Sequence, residues 1–296
     1  MGDDDQGHLE LEDKALDSKP PRKSRGRNGR GGGRGGGHQS REVQVSKALS
    51  RLLRHQAENA GIKLDRDGYA PLDEVLAYGP IRSLGVTLAD VQTAVSDNDK
   101  QRFSLKPKDG STGSDATDFL IRANQGHSIK TVESSSLLVP LTLDGGEGPG
   151  RVVHGTYFAF WPAIVASGGL RPMGRNHVHC SRGTPEEGVV SGMRRDAELL
   201  VEIDVERSIA EGGLKWWRSD NDVILTEGDP ENGGLLSSRF FRLVRGRRDE
   251  VGVLWENGEW VADLPEGLKV RVPHGKGPRG GGGRGGRGER GGRGRG

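Results

Sequence analysis

The chain has 296 residues, enough for one large or two small domains, and 50 of them are glycine, so part of it is low in complexity. Lysine and arginine together number 44 against 42 aspartates and glutamates, and the formal net charge of +2 conceals arginine-rich ends around a mixed middle. The single cysteine, Cys180, excludes an intrachain disulfide framework and fits a reducing compartment, and no apolar run reaches the length of a membrane span.

The start, MGDDDQGHLELEDK, is acidic and lacks a signal-peptide core; Gln6 stands where N-myristoylation wants Ser or Thr. The nucleus, the cytoplasm or both are the expected location, with no membrane partner. Residues 1–41 turn from acidic to KPPRKSRGRNGRGGGRGGGH, and residues 273–296 end in PRGGGGRGGRGERGGRGRG. Glycine at this density cannot offset its ordering entropy by burying apolar surface, so both tails are expected to be disordered. Their arginines suit phosphates and unpaired bases, and equally a solubilising or localising tail.

Residues 42–145 read as the first folded segment. Val45, Ala48, Leu49, Leu52 and Leu53 fall on one side of a helix at about 100° per residue, with Ser46 as a candidate cap, and Arg51, Arg54 and His55 on the flank or opposite face. Gly61 ends that helix. A short strand and turn come next over Leu64 to Tyr69, then a helix entered through Pro71 and running to about Tyr78, then one capped by Thr87 and carrying Leu88, Val91 and Val95. Phe103 to Leu105 and Thr117 to Ala123 read as paired strands. Helices followed by a β-hairpin are the pattern of a winged helix, a nucleic-acid module. Arg122, at a strand end before Gln125, Gly126 and His127, suits an anion, although each such arginine taken alone is an ordinary surface charge.

Pro140 to Gly150 is turn-rich and reads as a linker. In the second segment, residues 150–272, Val152 to His154 form a strand ending in Gly155 and Thr156; Phe158 to Ser167 form a short helix closed by Gly168 and Gly169. Strands are expected at Val178 to Ser181, Leu199 to Val205, Val223 to Thr226 and Phe240 to Val244. Short strands with few helices indicate an α+β fold with a curved or split sheet. His154, His177 and His179 raise the possibility of zinc, but Cys180 points away from His179 on an ideal strand and no acidic residue stands at a metal spacing, so structural histidines are favoured. His154-Gly155-Thr156 offers an imidazole, a backbone N–H that a ligand can approach closely, and a hydroxyl, a set suited to a ribose and an amide.

The segments RLLRH, GYAPLDEVL, RANQGHS, VVHGTY, MGRNHVHCS and VVSGMRRDAELLVEID stand in the order found in the tRNA 2′-phosphotransferases of the KptA-like family. The chain resembles that family from about Ser46 to Val244. The resemblance implies a winged-helix-like lobe that binds RNA, followed by an ADP-ribosyltransferase-like split-sheet lobe that binds NAD⁺ as co-substrate. It also implies a reaction. A 2′-phosphate left at a tRNA splice junction attacks C1″ of the nicotinamide ribose and expels nicotinamide. The 2″-hydroxyl then attacks the phosphorus, leaving 2′-hydroxyl RNA and ADP-ribose 1″,2″-cyclic phosphate. By motif, Arg54, His55, Arg122 and Arg194 resemble the catalytic set. His154, Gly155 and Thr156 resemble the NAD⁺-binding triplet, and Arg175 and His179 further nucleotide contacts. No glutamate stands where many ADP-ribosyltransferases carry one. A phosphate monoester, with a second pKa of about 6, needs no general base to become a nucleophile; it needs capture by cations. No metal is required by this scheme, and a monomer is expected. The competing expectations are an ADP-ribosyltransferase that caps terminal phosphates of RNA or DNA, and a non-enzymatic RNA-binding adaptor driven by the tails. Residues 245–272 fall outside the matched motifs, and an added hairpin packing on the sheet is expected there.

Overall fold

A computed structural model describes residues 40–273 apart from 112, 145–147, 149 and 271. The expected disorder of the tails concerns residues that, save the innermost few, lie outside those described. The fold is α+β, and its described strands pair antiparallel throughout.

The first lobe opens with α1 (Arg41–Arg51), which continues without a break into a π-helical turn over Leu52–Gln56. Ser46 lies inside α1 and does not cap it; the N-cap is Ser40. Val45, Leu49, Leu52 and Leu53 are buried as the periodicity requires, each stabilising the lobe by about 1.5–3 kcal/mol relative to exposure. The π turn changes the outcome for Arg54, which is also buried and not on an outer face. A π turn spreads i→i+5 hydrogen bonds over more residues per turn and so rotates the next residues about the helix axis. Gly61, at φ 75°, takes the left-handed conformation that closes the segment.

The stretch Leu64 to Tyr69 is a turn, in which Asp65 accepts from the Tyr69 N–H at 2.7 Å, and the strand is confined to β1 (Ala70–Pro71). Helix α2 (Leu72–Ala77) succeeds Pro71 as expected; α3 (Gly79–Ser83) has no clear signal in the sequence. In α4 (Leu88–Ser96) Thr87 and Asp90 form a reciprocal capping box. Strands β2 (Phe103–Pro107) and β3 (Phe119–Ala123) pair as expected, and with β1 make a sheet of order β1-β3-β2. The short helix α5 (Ser134–Leu137) leads into β4 (Val139–Leu141).

The expected linker begins too early, because Pro140 and Leu141 belong to β4 and pair with Trp217 and Trp216 of the second lobe. That lobe contains β5 (Val152–Thr156), α6 (Trp161–Ala166), β6 (Gly169–Leu170), β7 (Val178–Cys180), β8 (Leu199–Ile203), α7 (Val205–Ala210), β9 (Trp216–Arg218), β10 (Ile224–Thr226), β11 (Leu236–Ser237) and β12 (Phe241–Gly246). The hairpin of β13 (Val253–Glu256) and β14 (Glu259–Trp260) adds to β12, as expected of the unmatched segment. One sheet runs β4-β9-β10-β7 and another β14-β13-β12-β8-β5. They meet where the Val153 and Ser181 backbones exchange hydrogen bonds of 2.8 and 2.9 Å.

The smaller of these two sheets lies between two apolar cores. Trp217, Val223 and Leu225 pack with the first lobe, while Trp216, Ile224, Val178 and Cys180 pack into the second. Side chains alternate across a strand, so one sheet closes both cores and fixes the lobes against each other. No described helix is long and apolar enough to cross a membrane.

Candidate functional site

The alternation along β7 decides which groups face the first lobe. Cys180 opposes Ile224 and is sealed in the second core, where burial pushes its thiol pKa up. His179 opposes Leu225 and therefore looks the other way, toward the first lobe. His177 lies on the same side, and its Nε2 is 2.9 Å from Oγ of Ser134 in α5. Ser134 also donates to Glu227 at 2.6 Å, and His177 with Ser134 holds the Glu227 carboxyl down at about 2. This junction of Ser134, His177 and Glu227 ties the two lobes together.

From the first lobe, RANQGHS docks onto RLLRH. The Ser128 N–H donates to the Arg54 carbonyl at 3.0 Å, and Ser128 Oγ lies 2.9 Å from His55 Nδ1. With the serine proton directed to the Arg54 carbonyl at 3.5 Å, Ser128 accepts from His55 Nδ1–H. Gly126, at φ 90°, has no side chain to crowd Arg54: a Cβ there would lie 3.4 Å from its Cδ and Nε. His127 is buried, and desolvation, then the charges of Arg54, His55, His177 and Arg122, pull its pKa down to about 3. His179 is pulled well below the ordinary histidine range by burial, then by Arg175, His177 and Arg54. Both rings are therefore neutral near pH 7. His179 Nδ1 donates to the His177 carbonyl at 2.9 Å, which leaves its Nε2 an acceptor. The Nε2 atoms of His127 and His179 are buried with no hydrogen-bond partner among the described residues. A buried polar atom without a partner is costly and indicates a ligand or water position.

Arg122 projects from β3 with Nη2 2.5 Å from Asp220 and its guanidinium carbon 4.7 Å from the centre of the Tyr69 ring. Asp220 comes from the second lobe, and its carboxylate shows that this guanidinium is presented to an oxyanion. Arg194 is held by other neighbours: its guanidinium carbon is 5.4 Å from the Tyr157 ring centre, and Tyr157 donates to Asp196 at 2.8 Å. Burial is the main cause that raises Tyr157 to about 12, so the phenol keeps its proton.

In β5, His154 donates from Nδ1 to the His179 carbonyl at 2.8 Å, which joins the two motifs. Thr156 is buried and its carbonyl accepts from the Glu198 N–H at 2.8 Å. Gly155 also leaves room for close packing on the side where a side chain would stand. A Cβ on it would lie 2.6 Å from Met193 Cγ and 2.9 Å from Ala197 Cβ, so the space over this glycine is filled by the segment that carries Arg194. A cleft of about 540 Å³ runs between Lys130 and Ser134 on one side and Arg171, Arg175, Asn176 and Glu227 on the other. Met173 on its rim is exposed and adopts a left-handed φ of 58°. A second hollow, of about 500 Å³, is lined in part by Lys100, Arg102, Arg195 and Asp196. Among the described residues no three His, Cys, Asp or Glu side chains form a metal-binding group.

The structure thus gathers Arg54, His55 and Arg122 around His127, and Arg175 with Arg54 around His179. Sequence reasoning misses Ser134, Glu227, Asp220 and Tyr157 as neighbours of the site. Nothing local marks Ser134, Glu227 or Asp220, because each acquires its role from a segment distant in the chain; Tyr157 closes the VVHGTY motif, which by itself gives the phenol no partner.

Buried Arg54 and Arg175 and the neutral rings of His127 and His179 thus lie where the two lobes meet. Residues 40–228 match the pattern of the RNA 2'-phosphotransferase, Tpt1 / KptA family. The chain is similar to the tRNA 2'-phosphotransferase 1 of Danio rerio, at 40% identity over 222 residues covering 74% of this chain and 91% of that one. It is also similar to the tRNA 2'-phosphotransferase 1 of Homo sapiens, at 42% identity over 207 residues, 69% of this chain and 76% of the other. The tRNA 2'-phosphotransferase of Saccharomyces cerevisiae is 40% identical over 192 residues, 64% and 80% of the two chains. The chain belongs to the RNA 2'-phosphotransferase family and is an enzyme of the transferase class.

Proposed function

We propose that this enzyme removes the splice-junction 2′-phosphate of tRNA by transferring it to NAD⁺. The proposal gives residues 42–145 the winged-helix-like, RNA-binding part and residues 150–272 the ADP-ribosyltransferase-like, NAD⁺-binding part. One observation carries it: buried Arg54 with Arg122 and His127 from one lobe meets Arg175, His177 and His179 from the other, and the Nε2 atoms of His127 and His179 lack protein partners among the described residues. The His179 Nε2, an acceptor, fits a hydroxyl or N–H donor of a nucleotide, and the arginines fit its phosphates and that of the RNA.

In this reading Arg54, Arg122 and Arg194 hold the RNA 2′-phosphate in line with C1″ of the nicotinamide ribose. Fixing both reactants supplies the proximity contribution, and expulsion of nicotinamide leaves the phosphate bonded at C1″. When the 2″-hydroxyl attacks phosphorus, charge builds on the phosphoryl oxygens, where fixed cations stabilise it most. As the 2″-oxygen bonds to phosphorus its proton passes to solvent, the bond from phosphorus to the RNA 2′-oxygen breaks, and His55 gives that oxygen a proton as general acid. His154, Gly155, Thr156, Arg175 and His179 form the nucleotide side. A monomer with no metal suffices, working in the nucleus, the cytoplasm or both.

The test is incubation with a 2′-phosphorylated oligonucleotide with and without NAD⁺, and identification of both products. Release of 2′-hydroxyl RNA together with a cyclic phosphate of ADP-ribose is expected only with NAD⁺. A stable ADP-ribosylated nucleic acid would favour the capping reaction. Turnover by a protein lacking both tails would exclude the adaptor.

A further inference from the structure

We propose that Arg247, which lies beyond the stretch matched to the family pattern, is a positioning residue for the phosphate-transfer step. It acts by holding the turn that carries Arg194. This inference rests on the phosphate-holding role proposed for Arg194.

The residue stands just past the end of β12, and its backbone N–H donates to the Glu198 carbonyl at 2.8 Å. Its side chain is only 2% exposed, although it carries a full charge. Nη1 donates to the carbonyls of Arg195 at 2.8 Å, Ala197 at 3.2 Å and Arg194 at 3.4 Å. The opposite edge of the guanidinium grips Glu186, with Nε and Nη2 donating at 3.0 and 2.7 Å. Arg248 adds a further bond to Glu186 at 3.0 Å. Glu186 stays ionised far into acid: its carboxyl is held at about 2, mainly by the bond from Arg247.

The geometry requires arginine. One planar group satisfies three carbonyls of a single turn on one side and a carboxylate on the other, in a fixed orientation. A lysine ammonium is a point donor and cannot span both. The same turn is gripped elsewhere by Met193 and Ala197 against Gly155, and by Asp196 against Tyr157. Between these holds the turn carries the Arg194 and Arg195 side chains, with the Arg194 guanidinium against the Tyr157 ring. Without Arg247 the three carbonyls lose their common donor and the turn relaxes, and Arg194 loses its aim at the phosphate. A displacement of about 1 Å in such a group can cost on the order of 10²-fold in rate.

The experiment uses the full chain, a 2′-phosphorylated oligonucleotide and NAD⁺, with Arg247→Met, Arg247→Lys and Arg194→Ala compared with wild type. Arg247→Met is expected to lower kcat roughly 10- to 100-fold while KM for NAD⁺ stays within about twofold. Arg247→Lys should recover only part of that loss. A folded Arg247→Met enzyme with wild-type kcat overturns the inference. So does a loss carried entirely by KM, which would mean uniform weakening of substrate binding. If Arg247→Met does not fold, Arg247→Lys decides alone: a wild-type kcat overturns the inference and a drop of at least about fivefold sustains it. Failure of the underlying reading looks different. Wild type would then release no 2′-phosphate, or Arg194→Ala would remain fully active, and the inference would fall with it.

Discussion

Gly155→Ala separates two accounts of the His-Gly-Thr motif. If the glycine lets a ligand approach, a methyl group there should raise KM for NAD⁺ and leave the free protein as stable as before. The geometry gives a different outcome. The new Cβ would lie 2.6 Å from Met193 Cγ, 3.0 Å from Met193 Sδ and 2.9 Å from Ala197 Cβ. These are about 1 Å inside an ordinary carbon–carbon contact, and overpacking of this kind costs about 1–3 kcal/mol. The lower entropy of the unfolded alanine chain returns about 0.4–1 kcal/mol, because Gly155 is not among the glycines with positive φ. A net loss of about 1–2 kcal/mol is therefore expected in urea unfolding at unchanged m-value, with a fall in kcat as Met193 pushes the Arg194 turn outward. In the double variant Gly155→Ala/Met193→Ala the worst overlap disappears, while that with Ala197 remains. Partial recovery should appear as a coupling of about 1 kcal/mol between the two sites. Unchanged stability with a raised KM for NAD⁺ would refute the packing argument.

Arg122→Ala should lower the rate of 2′-phosphate release by about 10²-fold or more with the fold retained, and a wild-type rate would remove Arg122 from the catalytic set. Stability should fall on acidification. His127 binds its proton near pH 6.5 when unfolded and at about 3 when folded, so between these values the unfolded chain holds more protons. The stabilisation is complete above about pH 6.5 and lost as pH falls, by about 2 kcal/mol between about pH 7 and pH 5 from His127 alone. Denaturant melts at the two pH values measure it, and a flat profile would contradict the burial of that ring. Activity should survive exhaustive chelation; loss with EDTA and return with zinc would assign His154, His177 and His179 to a metal.

The features legible in the sequence are those that depend on neighbours in the chain. The 100° periodicity of α1, the cap at Thr87, the Phe103–Ala123 hairpin and the β5 strand are local matters of propensity and pattern. The order of the motifs also places the chain in its family. The β4 strand and α3 are short and carry no such signal, and β4 exists only by pairing with Trp216 and Trp217, some 75 positions away. Arg54 falls on the wrong face in a helical projection because a π turn cannot be distinguished from an α turn by apolar spacing.

The sequence by itself determined the residue types available for phosphate capture and the mixed α+β character of the fold. It also showed that His179 and Cys180 must face opposite ways on a strand. Only the tertiary structure decided which way each faces. That choice depends on Leu225 and Ile224 lying opposite them and on which apolar core each of those side chains enters. The same is true of Gly155, whose empty side is filled by Met193, and of Arg247, whose charge is matched by Glu186 and three distant carbonyls. Spacing along a chain specifies direction within an element, whereas burial and charge pairing are properties of the surfaces that folding brings together.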